Sequence, residues 1–395
     1  MDAVTYPDST LREITKEFVC IRVDFDRNQD IAKKYGVQPL ADLRLLDPDG
    51  KQSAKLIGFS SASRLSTACR AELDRLAGKA PAESTTAGTS SNAPIVASKE
   101  AIAAAVERGR RYLIDSFGQG SFASSGVASL DQALFACAAC GINAKAEDLQ
   151  KLLRSTCAAP LTSTYQAAFR ALALASRDPE ANRDGIEACA RFLVGSQLSN
   201  GQWSYNASPE GAQPPALGDN SNTAYAILGL AACRRAGVDV PQANIERAQE
   251  WWRSAQREDG GFGYRTDREK ESYASMTASG LSSLVLCEKL LARDQGTDAA
   301  LDRARAWLLA HFSVSENTGS AYQQGRLLYH LYALERVGTL LGVEKLGTHD
   351  WYAEGASYLL RTQNGDGSWD DGADTPLPNT SFALLFLTRS SMFLR

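Results

Sequence analysis

Gln363-Asn-Gly-Asp-Gly367-Ser-Trp369 decides how this chain folds, because its frame occurs three times. Gln197-Leu-Ser-Asn-Gly201-Gln-Trp203 is the same frame, and Gln256-Arg-Glu-Asp-Gly260-Gly-Phe262 repeats it with Phe in the last place. Each copy follows an aromatic-bearing pair at a fixed offset: Phe192-Leu193, Trp251-Trp252 and Tyr358-Leu359. A pattern that returns at a long period marks a repeat architecture. Its parts have separate physical roles. The aromatic pair ends the apolar stripe of a helix. The Gln is placed to bond backbone groups freed at that helix end. The Gly allows a turn with positive φ. The last aromatic folds back on the helix pair as a plug. The three copies speak strongly for architecture and weakly for chemistry.

Outward from these motifs, residues 98–395 read as almost wholly helical, with two helix types in alternation. One is amphipathic at helical spacing, as in Ile186, Cys189, Leu193 or Ile245, Ala248, Trp252. The other is apolar nearly all round, as in residues 223–233, 276–287 and 382–387. A helix apolar on every side is buried on every side, so the alternation implies two concentric rings. Gln197 to Gln256 is 59 residues and Gln256 to Gln363 is 107, close to two repeats. The hairpin between them carries Trp307-Leu308 and His311-Phe312 where the Gln belongs. With degenerate earlier copies, the count is about six hairpins and twelve helices. The buried helices are expected to include 219–235, 273–290, 320–338 and 377–390.

The three motifs make this region similar to the terpenoid cyclase/protein prenyltransferase toroid, the (α/α)6 barrel of squalene–hopene cyclases and prenyltransferase β subunits. Residues 219–223 and 329–338 resemble bacterial prenyltransferase/squalene-oxidase repeat proteins more closely. The resemblance implies a central cavity that binds or acts on an isoprenoid or other lipid-like ligand. The chain departs from the family's chemistry. It has no D-x-D-D, the carboxylate cluster with which class II cyclases protonate a polyprene. It has no Asp-x-Cys pair to hold the zinc of prenyltransferases. The G-C-G-E-Q thioester motif of complement-like toroids is also absent. Asp366, Asp370, Asp371 and Asp374 lie in a Gly-rich loop and read as a solvated turn, with a divalent-cation site as the alternative. Cys137 and Cys140 read as core thiols. No cofactor and no bound metal are expected.

Residues 79–97 form a Ser/Thr/Ala/Pro stretch without periodicity, expected to be a flexible linker. Before it, residues 1–78 read α-β-α-β-β-α. Thr10 and Glu13 form a capping-box pattern. Residues 18–23 read as a strand, Asn28 caps a helix that Gly36 ends, and strands at 43–46 and 54–59 flank the turn Asp47-Pro-Asp-Gly50. A last helix runs from about 61 to 76. These segments resemble the rear part of a thioredoxin fold. The family's Cys-x-x-Cys precedes the first helix and is missing here, and Ala41 stands at its cis-proline position. Thiol–disulfide exchange therefore has no basis in these residues. Either Met1 is not the biological start, or the remaining strands close up without the missing one.

Among 395 residues the net charge of -4 and the dispersed Lys and Arg give no case for nucleic acid or an anionic membrane surface. No apolar stretch is long enough to span a bilayer. The opening residues 1–7 lack the basic start and apolar core of a signal peptide, so a cytoplasmic location is expected. Eight Cys in this length read as small buried hydrophobes rather than a disulfide framework.

The candidate site residues are polar or aromatic and stand where buried helices begin. They are Asp219, Asn220, Asn222 and Tyr225; Ser272, Tyr273 and Thr277; Tyr322, Gln323 and Gln324; and Asn379 with Thr380. Ser129, Asp131, Thr164, Tyr165 and Gln166 complete the set. Each is either a helix cap or part of a pocket mouth. His349-Asp350-Trp351-Tyr352 reads as the cap and staple of the last outer helix. Two functions remain open. One is a toroid with an aromatic-lined cavity for a lipid-like ligand. The other is a non-catalytic scaffold with a degenerate thioredoxin-like module as its protein-binding part. An open centre favours the first, a filled centre the second.

Overall fold

The computed structural model describes residues 9–21, 23, 28–35, 42–57, 62–77, 97–118, 129–141, 147–206, 217–267, 270–292, 298–319, 326–372 and 375–395. The chain is mainly helical and divides into two units, residues 1–94 with 372–375, and residues 95–371 with 376–395.

In the first unit, α1 (Ser9–Thr15) packs on α3 (Ala62–Leu76), α2 spans Gln29–Tyr35, and β1 (Asp42–Leu46) pairs antiparallel with β2 (Gln52–Ile57). The Asp47 carbonyl accepts from the Gly50 N–H at 2.9 Å, and Gly50 sits at φ +78°. Among the described residues its core consists of Leu11, Leu45, Leu65 and Cys69. The strand expected at 18–23 is not there, for residues 18–21 and 23 belong to no strand. Val19 is 90% exposed and Ile21 79%. Among the described residues β1 and β2 pair only with each other, so this β-prone segment has no ladder to join.

Among the described residues of the second unit, six helices are buried along most of their length: α5 (Ser129–Ala139), α7 (Thr164–Arg177), α9 (Asn220–Arg235), α11 (Ala274–Leu290), α13 (Leu327–Leu341) and α15 (Pro376–Leu387). They alternate with α4 (Lys99–Gly118), α6 (Glu147–Ala158), α8 (Arg183–Gly195), α10 (Gln242–Ala255), α12 (Ala299–Ala310) and α14 (Trp351–Thr362), which bury one stripe each. The reason is compositional. In α11 every residue from Ala274 to Glu288 is buried, and nearly all are small or apolar. In α8 only Ile186, Cys189, Ala190 and Leu193 are, at helical spacing. Each buried helix packs on the next, and α15 returns to pack on α5, so the contacts close on themselves. Of the helix at 320–338, residues 320–325 lie outside the described residues and α13 starts at Leu327.

The repeated motif stitches this cycle. Contrary to expectation, Gln197 bonds the next hairpin rather than its own helix end. Its amide donates to the Gly201 carbonyl at 3.1 Å and to the Asn244 carbonyl of α10 at 2.9 Å, and Arg247 donates back to its oxygen at 2.7 Å. Gln256 does the same toward Ala300 and Arg303 of α12. Gln363 does so toward Ala105 and Arg108 of α4, joining the end of the unit to its beginning. The glycines sit at φ +90°, +87° and +90°. A Cβ on Gly201 or Gly367 would come within 2.3 or 2.5 Å of a backbone carbonyl of the next outer helix. The aromatics turn back onto their own hairpins. The Trp203 indole donates to the Leu193 carbonyl at 2.7 Å, the Trp369 indole to that of Leu359 at 2.9 Å, and Phe262 meets Trp252 edge-on at 5.2 Å. All three are fully buried.

Trp369→Ala should therefore lower stability by about 3–5 kcal/mol, as for other buried Trp truncations. Gly367→Ala should also destabilise, through positive φ and collision with α4. Urea unfolding of both variants checks this; unchanged midpoints would remove the clasp from any structural role.

Candidate functional site

Every buried helix contributes a side chain to one central cluster. Phe135 comes from α5, Tyr165 and Phe169 from α7, Tyr225 from α9, Ser279 from α11, Tyr329, Tyr332 and Arg336 from α13, and Phe382 from α15. The rings touch in sequence. Tyr205, half exposed, stacks on Tyr165 at 5.9 Å; Tyr165 lies 4.5 Å from Tyr225, and Tyr225 lies 6.0 Å from Tyr329. The series ends at Arg336, whose guanidinium carbon sits 5.2 Å from the Tyr225 ring centre and 4.7 Å from that of Tyr332. An aromatic path thus leads from the surface to a buried cation.

Arg336 is 2% exposed. It donates to the Ser279 hydroxyl at 3.2 Å and, weakly, to the Tyr225 hydroxyl at 3.5 Å. Among the described residues no carboxylate forms an ion pair with it. A guanidinium stays charged even there, and an unpaired buried charge is costly. The two tyrosine faces supply part of the compensation as cation–π contacts. The neighbouring Glu335 points elsewhere. It accepts from the Ser391 N–H and hydroxyl at 3.2 and 2.7 Å and from the Thr339 hydroxyl at 2.9 Å, so it anchors the short 3-10 turn Ser390–Leu394. Burial pushes its carboxyl up to about 7. On the other side of the cluster Asp131 and Arg170 form a buried pair at 2.7 Å; burial pushes Asp131 up to about 6 although Arg170 pulls it down.

The structure scatters the polar residues expected at a pocket mouth. Tyr225 and its neighbour Tyr165 reach the central cluster. Asp219 caps α9, accepting from the Asn222 N–H at 2.9 Å and from the side chains of Ser221 and Asn222. Burial raises its carboxyl above the usual range. Asn220 donates to the Gly263 carbonyl and accepts from the Trp251 indole, both at 2.8 Å. Thr277 and Thr380 accept the backbone N–H of Phe262 and Trp369, as Thr223 does for Trp203. Ser272 donates to Asp259 at 2.8 Å, and the Tyr273 N–H donates to the Phe262 carbonyl. Asn379 donates to Asp371, which also accepts the Leu328 N–H at the start of α13. Tyr322, Gln323 and Gln324 lie outside the described residues. The physical reason is common to all. The extended motif backbone runs beside the helix starts, and both carry N–H groups that need acceptors.

Asp371 is thus a structural acceptor, and Asp366 accepts within its own turn from Ser368. Asp350 caps α14 through the Ala353 N–H. Cys137 is buried and pushed up to about 12 by that burial, a protonated core thiol at neutral pH. Sequence reading missed Arg336, Glu335, Phe169 and Phe382. Its one available signal was Glu335-Arg336, a charged pair inside the apolar run 327–341.

No family model and no curated protein matches the chain. Among solved structures it is similar to type II terpene cyclase MstE from Scytonema in complex with geranylgeranyl dihydroxybenzoate, at 10% identity and TM-score 0.48, covering 75% of this chain and 98% of that one. It is similar to the apo form of the same cyclase at 12% identity and TM-score 0.34, covering 75% and 99%. A third similarity is to ent-copalyl diphosphate synthase from Streptomyces platensis, at 20% identity and TM-score 0.38, covering 66% and 50%. At these values no residue role is transferred; the site stands on its own geometry.

Glu335 makes stability pH-dependent. Its folded value lies above the ordinary carboxylate value of 4.5, so its contribution is fully present below pH 4.5 and lost as pH rises to about 7. The loss is about 3 kcal/mol. Denaturation across this window should show the difference between wild type and Glu335→Gln shifting by that amount. A constant difference would exclude a protonated Glu335.

Proposed function

We propose that residues 98–395 form an (α/α)6 toroid whose aromatic centre binds an isoprenoid or other lipid-like molecule with an anionic or hydrogen-bond-accepting inner end. The observation that carries this reading is Arg336, a buried guanidinium stacked on Tyr225 and Tyr332 at the end of an aromatic path from exposed Tyr205. The apolar chain of the ligand lies along the rings and its polar end meets the guanidinium. The same residue argues against carbocation chemistry at this point. At ~5 Å and an effective dielectric near 20, two unit cations repel by about 3 kcal/mol. Binding therefore fits the centre better than cyclisation, in keeping with the missing D-x-D-D and Asp-x-Cys.

The rings are in mutual contact, so a ligand enters by displacing them. Each aromatic pair contributes about 0.5–1.5 kcal/mol beyond its area. Each CH2 buried in exchange returns about 0.8 kcal/mol. A chain of ten or more carbons offsets the cost. The mutual contact of the rings favours the second reading, a non-catalytic scaffold in which residues 1–78, a partial thioredoxin-like module, recruit a protein and 79–97 serve as the linker.

Native mass spectrometry with lipid extraction separates the two. The ligand reading expects a retained apolar molecule, or binding of added farnesoic acid more tightly than farnesol. A charged hydrogen bond worth about 1.5–3 kcal/mol makes that preference about 10- to 100-fold. Arg336→Met should abolish the preference while keeping or raising the melting temperature, because an apolar side chain replaces an unpaired buried charge. No retained lipid, no preference for the acid and a lowered melting temperature in Arg336→Met would establish the scaffold instead.

A further inference from the structure

A concavity of about 700 Å³ opens at the C-terminal ends of α9 and α11. Its floor includes Leu286 and Leu290, and its rim carries Arg234, Arg235, Lys289 and Arg395. Two of these cations serve the fold as well. Arg234 donates to the Leu290 carbonyl at 2.6 Å and Lys289 to the Leu340 carbonyl at 3.0 Å, which binds the ends of α9, α11 and α13 together. Cations at helix C-termini are a common structural device, so the charge must be weighed. Each helix end presents about half a negative charge, and three ends present about one and a half. Leaving Arg395 aside, three side-chain cations still exceed that. Among the described residues no carboxylate side chain pairs with any of the four. Lys289 is held below the ordinary lysine range by burial and by the charge of Arg395, so the rim is crowded with like charge.

We infer that this pocket binds a single-chain amphiphile through an anionic phosphate or carboxylate head, with the head at the basic rim and the chain on the Leu286–Leu290 floor. An isolated phosphate fills a small part of such a volume and leaves the half-buried Leu290 wet. A neutral alcohol leaves the cations uncompensated. The anionic amphiphile satisfies both surfaces at once. The inference does not depend on the central aromatic site. Arg336 donates to Ser279 on α11, two turns before Leu286, and takes no part in lining this pocket.

The test is calorimetric titration of the full chain with dodecyl phosphate below its micelle concentration, beside inorganic phosphate and dodecanol. Dodecyl phosphate should bind at least about tenfold more tightly than either. Arg235 is exposed and Lys289→Gln keeps a donor for Leu340, so these positions can be changed without unfolding the helix ends. Arg235→Glu and Lys289→Gln should each weaken binding about tenfold, and together abolish it. Inorganic phosphate or dodecanol binding as tightly as the amphiphile overturns the assignment. So does undiminished binding in the double variant. Loss of binding in Arg336→Met with retention in the double variant places the amphiphile at the centre and also overturns it.

Discussion

The second unit depends on one interaction repeated three times, the grip of a motif glutamine on the outer helix of the next hairpin. A side-chain amide has two donors and a carbonyl oxygen. Gln197, Gln256 and Gln363 spend the donors on their own glycine and on the next helix, and use the oxygen to hold an arginine of that helix. The glycine carries no Cβ, so the two backbones approach to a distance no other residue permits. The third grip matters most. It joins α14 to α4, whose residues lie 258 positions apart, and so resists the opening of the cycle at its seam.

The centre inherits its character from that closure. Six helices brought into one cycle direct their middle turns at a common point, and the residues there have no solvent to turn to. Aromatic rings from five of the helices are in mutual contact there. Arg336 then stands out because it takes a full charge where, among the described residues, no carboxylate forms an ion pair with it. Glu335, one residue away, is on another face of α13 and is committed to the closing 3-10 turn. Adjacent charged residues on a helix point about 100° apart, so a charged pair in sequence is no ion pair in space.

Both ends of the buried helices answer the same demand in different ways. At their N-termini, Asp219, Thr223, Thr277 and Thr380 supply acceptors for N–H groups, and the motif backbone uses up what they offer. At their C-termini, Arg234 and Lys289 supply donors for carbonyls of the neighbouring helix. The first end consumes its polar groups internally, whereas the second is left with an excess of positive charge beside the half-buried Leu290.

The sequence by itself determined the helical architecture, the alternation of buried and half-buried helices and the positions of the three motifs. These follow from short-range periodicity, which residue spacing encodes directly. It also marked the Asp47–Gly50 turn, which is a local property of four residues. It misjudged residues 18–23, because β-propensity needs a partner strand and propensity says nothing about partners. It left Asp219, Thr277 and Thr380 open between cap and pocket mouth, because a polar residue at a helix start looks the same whether it faces a ligand or a neighbouring N–H. Only the tertiary structure decided that Arg336, Tyr332, Phe169 and Phe382 meet, since they lie on three different helices whose convergence depends on the closure of the whole cycle.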